Sequence, residues 1–510
     1  NYKPTINLAD KKLNKYQYDF EYLATLCEIT FPNIDSIFVK EDRIKLRQEI
    51  IQKLSNPNTN NLIFLVQSRR YLSKFHSQHT NINLGSEINN IFPFILFPSD
   101  NKWFLWSIDK NVADTATIGK QVIAVNDKPI EEIIEQLKLI SFGENDIGNT
   151  HYIENYQLYN DPEILLELDI IQQKDSIKLT FDNQKTATLN SFTQRDGYKR
   201  LYKISLKPNP VTKYSNKSYS YNISKVENFG YIQFNECYDK VAILGGLDYY
   251  VKPIMRPIAK VFLKRQFQKK KPSKLLANMY NPEYPVFGDF LNEFFTKIKE
   301  QNIDTLVIDL RNNSGGDFNL CLQLMYYITD KTNLKDFTEY IYTSEVYKSY
   351  SRKEYKEFAT SYQQKYNIQP PQNQLILKGN RNGKISLFDE ITNPKSIYYV
   401  KPSRPVFNGV VFVLANTNTG SSAALLTTLI QDNGLATVIG TSVGNNPTGA
   451  TVYSPFILPK TKANVSISSS YLERPDKFKG KIQIPDIWIE RTMTDWIKGK
   501  DPLFENAIKN

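Results

Sequence analysis

The chain has 510 residues, is 41% hydrophobic and 13% aromatic, and carries a formal charge of +11. That length corresponds to about three domains, and the apolar content excludes a disordered chain. No run approaches ~18 consecutive apolar residues, so no transmembrane helix is expected; three widely spaced cysteines (Cys27, Cys237, Cys321) give no disulfide framework and no zinc spacing.

The chain opens Asn-Tyr-Lys, and the absence of methionine leads us to expect that a leader was removed. Leu13, Tyr16, Phe20, Leu23 and Cys27 recur at helical spacing and predict an amphipathic helix. Leu46, Ile50 and Leu54 predict a second helix. Leu62, Leu65, Leu72 and Phe75 predict a third, running into FHSQHT. His79 lies seven residues after Leu72 and shares the apolar face if that helix persists. Residues 1–85 therefore read as an N-terminal helical domain.

Residues 86–195 change to short aromatic strands such as Trp103–Trp106, and read as a β-rich domain. Ile118–Ile130 reads as strand, turn and strand start, and Glu131–Ile140 as a helix. Lys207–Ser220 is a polar connector. The remaining chain, 196–510, is the core, with insertions near 240–285 and 335–405. Lys264–Lys274 holds six basic residues in eleven. This is a solvated loop or, on the sharper reading, a contact to an anionic membrane or glycan surface. No nucleic-acid motif accompanies it.

Within the core, Thr305–Leu310 reads as a buried strand, Arg311–Gly316 as a glycine turn, and Phe318–Ile328 as a helix. Val410–Ala415 is a second buried strand. Thr417–Ser422 is a turn of small residues, Ala423–Ile430 a helix, Gly434 its C-terminal cap and Ala436–Ile439 a strand. Strand, helix, strand is a βαβ unit, which predicts a parallel sheet covered by helices. The fold class is mixed α/β. Sites in such sheets lie at the C-terminal ends of the strands, where Ser421 stands at a helix mouth. A serine there can attack a carbonyl while the N–H of Ser422 holds the oxyanion. Serine is also simply a good helix N-cap. The glycine turn is equally explained by a need for positive φ.

Val307–Gly316 resembles the glycine turn of the C-terminal processing peptidases, a serine peptidase family that includes tail-specific and tricorn-type enzymes. Thr419–Ala424, with Leu429–Gly434 and Val438–Gly440, is similar to that family's nucleophile segment. Ile484–Ile487 and Gly499–Pro502 are similar to its closing segment. Ile118–Ile140 resembles the second half of a PDZ domain, and Gln78-His79-Thr80 the end of the helical domain of tricorn-like members. The usual lysine of a Ser–Lys dyad is missing from Gly440–Pro447. The resemblance instead implies His79 as general base. Where tricorn-type sequences carry a supporting glutamate this chain has Lys479, with Glu473 and Asp476 as nearby acidic substitutes.

The expectation is a bacterial, extracytoplasmic serine endopeptidase acting on polypeptides without metal or cofactor. Ser421 attacks, His79 is the base, Glu473 supports it, and the N–H groups of Gly315 or Gly316 and of Ser422 form the oxyanion hole. The alternative is a catalytically weak protein that captures peptides or apolar ligands on the same fold. An ordinary histidine predicts a rate that falls as pH drops through a value near ~6–7.

Overall fold

The computed structural model describes residues 6, 8, 12–84, 90–113, 115–203, 209–268, 285–380 and 386–509. Six strands form the central sheet, in the order Tyr219–Ser224, Phe229–Phe234, Thr305–Asp309, Val410–Ala415, Thr437–Gly440 and Ile487–Trp488. The first pair is antiparallel and the others are parallel. Ile308 lies beside Val413, and Val413 beside Val438.

These strands are apolar throughout because both faces are covered. Leu306, Ile308, Val411 and Val413 pack in one cluster with residues of the helices Phe287–Glu300, Phe318–Tyr327 and Ser421–Asp432. Val307, Phe412, Leu414 and Ile439 pack on the other face with Leu503 and Phe504 of the helix Pro502–Ala507. The predicted βαβ unit is present, and its helix ends in Gly434 at φ +60. Among the described residues no helix is long and apolar enough to cross a membrane.

A second sheet runs Asn81–Asn83, Asn464–Glu473, Thr338–Tyr342, Leu375–Asn380, with Gly449–Ile457 also pairing to Asn464–Glu473. Part of the expected 335–405 insertion is therefore built into this sheet. The sheet also sews the N-terminal region to the core: Asn81 pairs with Ser466 and Asn83 with Asn464. The helices Lys15–Thr30, Lys40–Leu54 and Asn61–Leu72 share one core with Phe456, Val465 and Ile467 of the hairpin. The first helix starts where the sequence allows, at Asn14. Its side chain caps the N–H groups of Tyr16 and Gln17, while Gln17 bonds back to the N–H of Asn14. The described residues up to Leu84 thus share one core with the hairpin rather than packing as a separate domain.

The third helix does not carry His79. It ends at Leu72, a short 3-10 turn follows, and His76 takes a left-handed conformation, φ +45. That reversal hands the chain over to the Asn81–Asn83 strand, so His79 sits in a turn and not on the helical face.

The β-rich region forms a four-stranded sheet, Lys128–Pro129, Val122–Val125, Ser176–Phe181, Thr186–Asn190. The helix Ile130–Lys138 buries Ile130, Ile133, Ile134 and Leu137, and shares a cluster with Val125 and Leu179 of that sheet. The loop Leu139–Asn145 leaves this helix toward the core. Of the basic stretch Lys264–Lys274, the described part closes the helix Arg256–Phe267; residues 269–274 lie outside the described residues.

Candidate active site

Two turns meet at the C-terminal edge of the central sheet. The first is Arg311–Gly316. Arg311 is clamped between two carboxylates, bonding Asp309 at 2.6 and 2.9 Å and Asp501 at 2.8 Å through both oxygens. Burial works against ionisation of Asp501, but Arg311 and Thr212 overcome it and hold the carboxyl at about 2. Buried Asn313 then shapes the glycines: its side chain accepts from the N–H of Gly315 at 2.9 Å and donates to the carbonyl of Phe234 at 3.0 Å. Its carbonyl accepts from the N–H of Gly420 at 2.9 Å, which joins this turn to the second.

The second turn leads into the helix Ser421–Asp432. Its N-cap is Gly420, which has no side chain to cap with. Ser421 is therefore not an N-cap serine. It is exposed and adopts φ +47, a left-handed conformation that costs a non-glycine residue ~1–2 kcal/mol. Its N–H donates to Oδ1 of Asn445 at 2.7 Å. Ser422 anchors the turn differently: its hydroxyl donates to the carbonyl of Gly316 at 2.7 Å. The two turns touch so closely that a Cβ on Gly315, itself at φ +108, would lie 2.6 Å from Cβ of Ser421.

The N–H of Gly315 is committed to Asn313, which removes it from the pair of oxyanion candidates. Among the described residues, the N–H groups of Gly316 and Ser422 make no hydrogen bond within the protein. Ser422 lies in the first turn of its helix, where free N–H groups and the helix dipole favour an anion.

The segment of His79 is brought to this edge. Ser77 and Thr80 bond the hydroxyl of Ser468 at 2.9 and 3.2 Å, and the side chain of Gln78 donates to the carbonyl of Gly444 at 2.8 Å. Gly444 is the residue before Asn445, which holds Ser421. His79 is partly buried, and burial pushes its imidazole below the ordinary value. It is therefore neutral at physiological pH, the form that can accept a proton.

Glu473 is not part of this group. Its carboxylate bonds Tyr340 at 2.9 Å and Lys477 at 2.6 Å. Its neighbour Arg474 is buried against Asp432 at 2.7 Å, and Asp476 and Lys479 also contact Asp432. Asp432 ends the helix that Ser421 begins, about 16 Å away at 1.5 Å per residue. Asp476 thus lies at the far end of that helix, and Glu473 is turned to Tyr340 and Lys477.

The carboxylate that does reach the edge is Glu144, which the sequence did not single out. It sits on the loop between Ile130–Lys138 and Asp146–Tyr156, in a region with no motif. Its Oε2 accepts from the N–H of Asn446 at 2.6 Å and its Oε1 from the N–H of Gln78 at 3.4 Å. Burial pushes its carboxyl from 4.5 up to about 7, against the hydrogen bonds from Asn446, Gln78 and the Asn445 side chain.

Beside the turns opens a cleft of about 740 Å³, lined by Arg311, Asn312 and Asn416–Asn418 from the core and by Trp103, Ile134 and His151 from the β-rich region. It ends short of Ser421, at the residues that precede it.

Residues 282–488 match the model of peptidase family S41. No curated protein matches the chain. Among solved structures, a CPAF mutant is 12% identical over 97% of this chain and 96% of its own, with a TM-score of 0.63. Mature CPAF is 11% identical over 97% and 95%, with a TM-score of 0.57. At these identities the likeness is one of fold.

Proposed function

We propose, from the match of residues 282–488 to the model of peptidase family S41, that the chain is a serine endopeptidase with Ser421 as nucleophile and His79 as general base. The observation that carries this reading is the strained Ser421 at the head of a helix, exposed and without a capping role. Strain of this kind persists only where the surroundings impose it, and it concentrates at active sites. A protein that only binds peptides has no need of it.

In this mechanism the Ser421 hydroxyl attacks the scissile carbonyl as His79 takes its proton. The N–H groups of Gly316 and Ser422 stabilise the negative oxygen of the tetrahedral intermediate. The imidazolium then protonates the leaving amine, and water activated by the same histidine hydrolyses the acyl-enzyme. The substrate is a polypeptide, entering through the cleft beside Asn416–Asn418. Its mixed aromatic and polar lining suits an extended chain with varied side chains better than a single small molecule.

The test is covalent. A fluorophosphonate should label the wild-type protein at Ser421 and leave Ser421→Ala unlabelled, and the same substitution should abolish hydrolysis of an unfolded protein. Equal turnover by both forms would refute the assignment.

A further inference from the structure

The loop Glu144–Asn145 closes on the turn Asn445–Asn446 as a double clasp. Besides the carboxylate bond, the carbonyl of Glu144 accepts from the side chain of Asn446 at 3.1 Å, and the side chain of Asn145 donates to Oδ1 of Asn446 at 2.8 Å. Asn445, inside the clasp, accepts the Ser421 N–H on its Oδ1, which leaves its amide nitrogen as the end that faces the Glu144 carboxylate. An amide can turn either end toward a neighbour. An ionised carboxylate accepts only, so Glu144 forces the nitrogen of Asn445 toward itself and its oxygen toward Ser421. The same carboxylate holds the N–H of Gln78, next to His79.

We propose that Glu144 is a positioning residue that sets the nucleophile and the base at once, through Asn445 and Gln78, and that its ionised form is the active one. This rests on the Ser421–His79 reading and adds to it a control by the β-rich region. Loss of the charge frees Asn445 to turn over, releases the Ser421 N–H, and slackens the tether to the His79 segment.

The groups that face Glu144 are uncharged: Gln78 from the segment before Asn81–Asn83, and Asn445 and Asn446 from the turn after Thr437–Gly440. The titratable groups on the segments that meet it are Asp146 at the start of the following helix, paired with Lys138 at 3.5 Å, and His76 and His79 beside Gln78. Burial is the leading cause of its shift to about 7. Because the folded value lies above the ordinary one of 4.5, its contribution to stability is present below pH 4.5 and lost as pH rises through 7. Above pH 7 the charge is kept where it does not help folding, as a functional group would be.

The experiment is the rate of fluorophosphonate labelling of Ser421 in the full chain, measured from pH 5 to 9. The wild type should slow in two steps as pH falls, one near 7 from Glu144 and one below 6.5 from His79. Glu144→Gln should lose the upper step, keep the lower one, and be ~10–10²-fold slower at pH 8, the scale of a misplaced reacting group. Its unfolding midpoint at pH 8 should not fall. A Glu144→Gln profile that superimposes on the wild type, or is slower but still shows both steps, overturns the proposal. Should that variant fail to fold, Asn445→Ala removes one of the two arms through which Glu144 acts, and a step near 7 of undiminished size then overturns it equally. Failure of the underlying reading is separate: a wild type that does not label, or a Ser421→Ala that does, refutes the nucleophile and this inference with it.

Discussion

Gly315→Ala tests whether the contact between the two turns sets the position of Ser421. The added Cβ would lie 2.6 Å from Cβ of Ser421 and 2.9 Å from both the carbonyl oxygen of Gly420 and the nitrogen of Ser422. None of these is the end of a flexible side chain, so backbone must move. Ordinary carbon contacts sit at ~3.5–4.0 Å, so the turns must separate by about 1 Å. The φ of +108 adds strain of ~1–3 kcal/mol for a residue with a Cβ, and overpacking adds another ~1–3 kcal/mol. We expect a loss of roughly 2–6 kcal/mol in urea unfolding, and a fall of ~10²-fold in labelling of Ser421, the usual effect of a 1 Å misplacement. Gly434→Ala is the control. It also has positive φ, +60, but nothing lies within 4 Å of the new Cβ, so it should cost only ~1–2 kcal/mol and leave the labelling rate unchanged. A Gly315→Ala protein with wild-type stability and rate would show that the contact between the turns has no part in placing Ser421.

Three further outcomes are expected. His79→Gln should lower peptide turnover by ~10²–10⁴, the worth of a general base; burial lowers the imidazole value, so the wild-type rate limb assigned to His79 should fall below pH 6.5, and normal turnover in the variant would return the role to another group. Glu473→Gln should leave turnover unchanged, because its carboxylate is spent on Tyr340 and Lys477; a loss comparable to that of His79→Gln would reinstate it. Asp501→Asn should cost ~3–5 kcal/mol by leaving Arg311 half-paired. Since the Asp501 value is depressed to about 2 from 3.8, the wild type should hold about 2 kcal/mol from this group above pH 4 and lose it as pH falls toward 2, a slope that calorimetry of Asp501→Asn should no longer show.

The core was legible in the sequence because parallel strands buried on both faces are written as unbroken apolar runs. Thr305–Leu310 and Val410–Ala415 could hardly be anything else, and the glycine and small-residue turns after them marked the sheet edge. The position of Ser421 followed from that pattern, whereas its left-handed backbone did not, since serine at a helix mouth ordinarily reads as a cap. His79 was singled out through resemblance alone, and helical periodicity extended the third helix too far because nothing in FHSQHT announces the reversal at His76. The carboxylate of Glu144, which meets this edge, was missed for a physical reason. Glu144 lies on a loop whose neighbours in space, Gln78 and Asn446, are 66 and 302 residues away in sequence. No local spacing encodes such a meeting. The search for a late glutamate went instead to Glu473, chosen by resemblance near Lys479, whose carboxylate is taken up by Tyr340 and Lys477.

The strand Asn81–Asn83 has a consequence for how the protein is made. It finds its partner in Asn464–Glu473, with Asn81 bonded to a residue 385 positions later. At ~5–20 residues per second, a ribosome needs about 20–80 s to cover that interval. Throughout it the histidine-bearing turn has emerged but has no strand to dock on, and the nucleophile turn is absent or unsupported. A product truncated before the hairpin lacks the strand on which Asn81–Asn83 docks, and with it the seat of the site proposed above. Such pairing of distant segments also makes for slow folding, so the interval between synthesis and activity is set by topology.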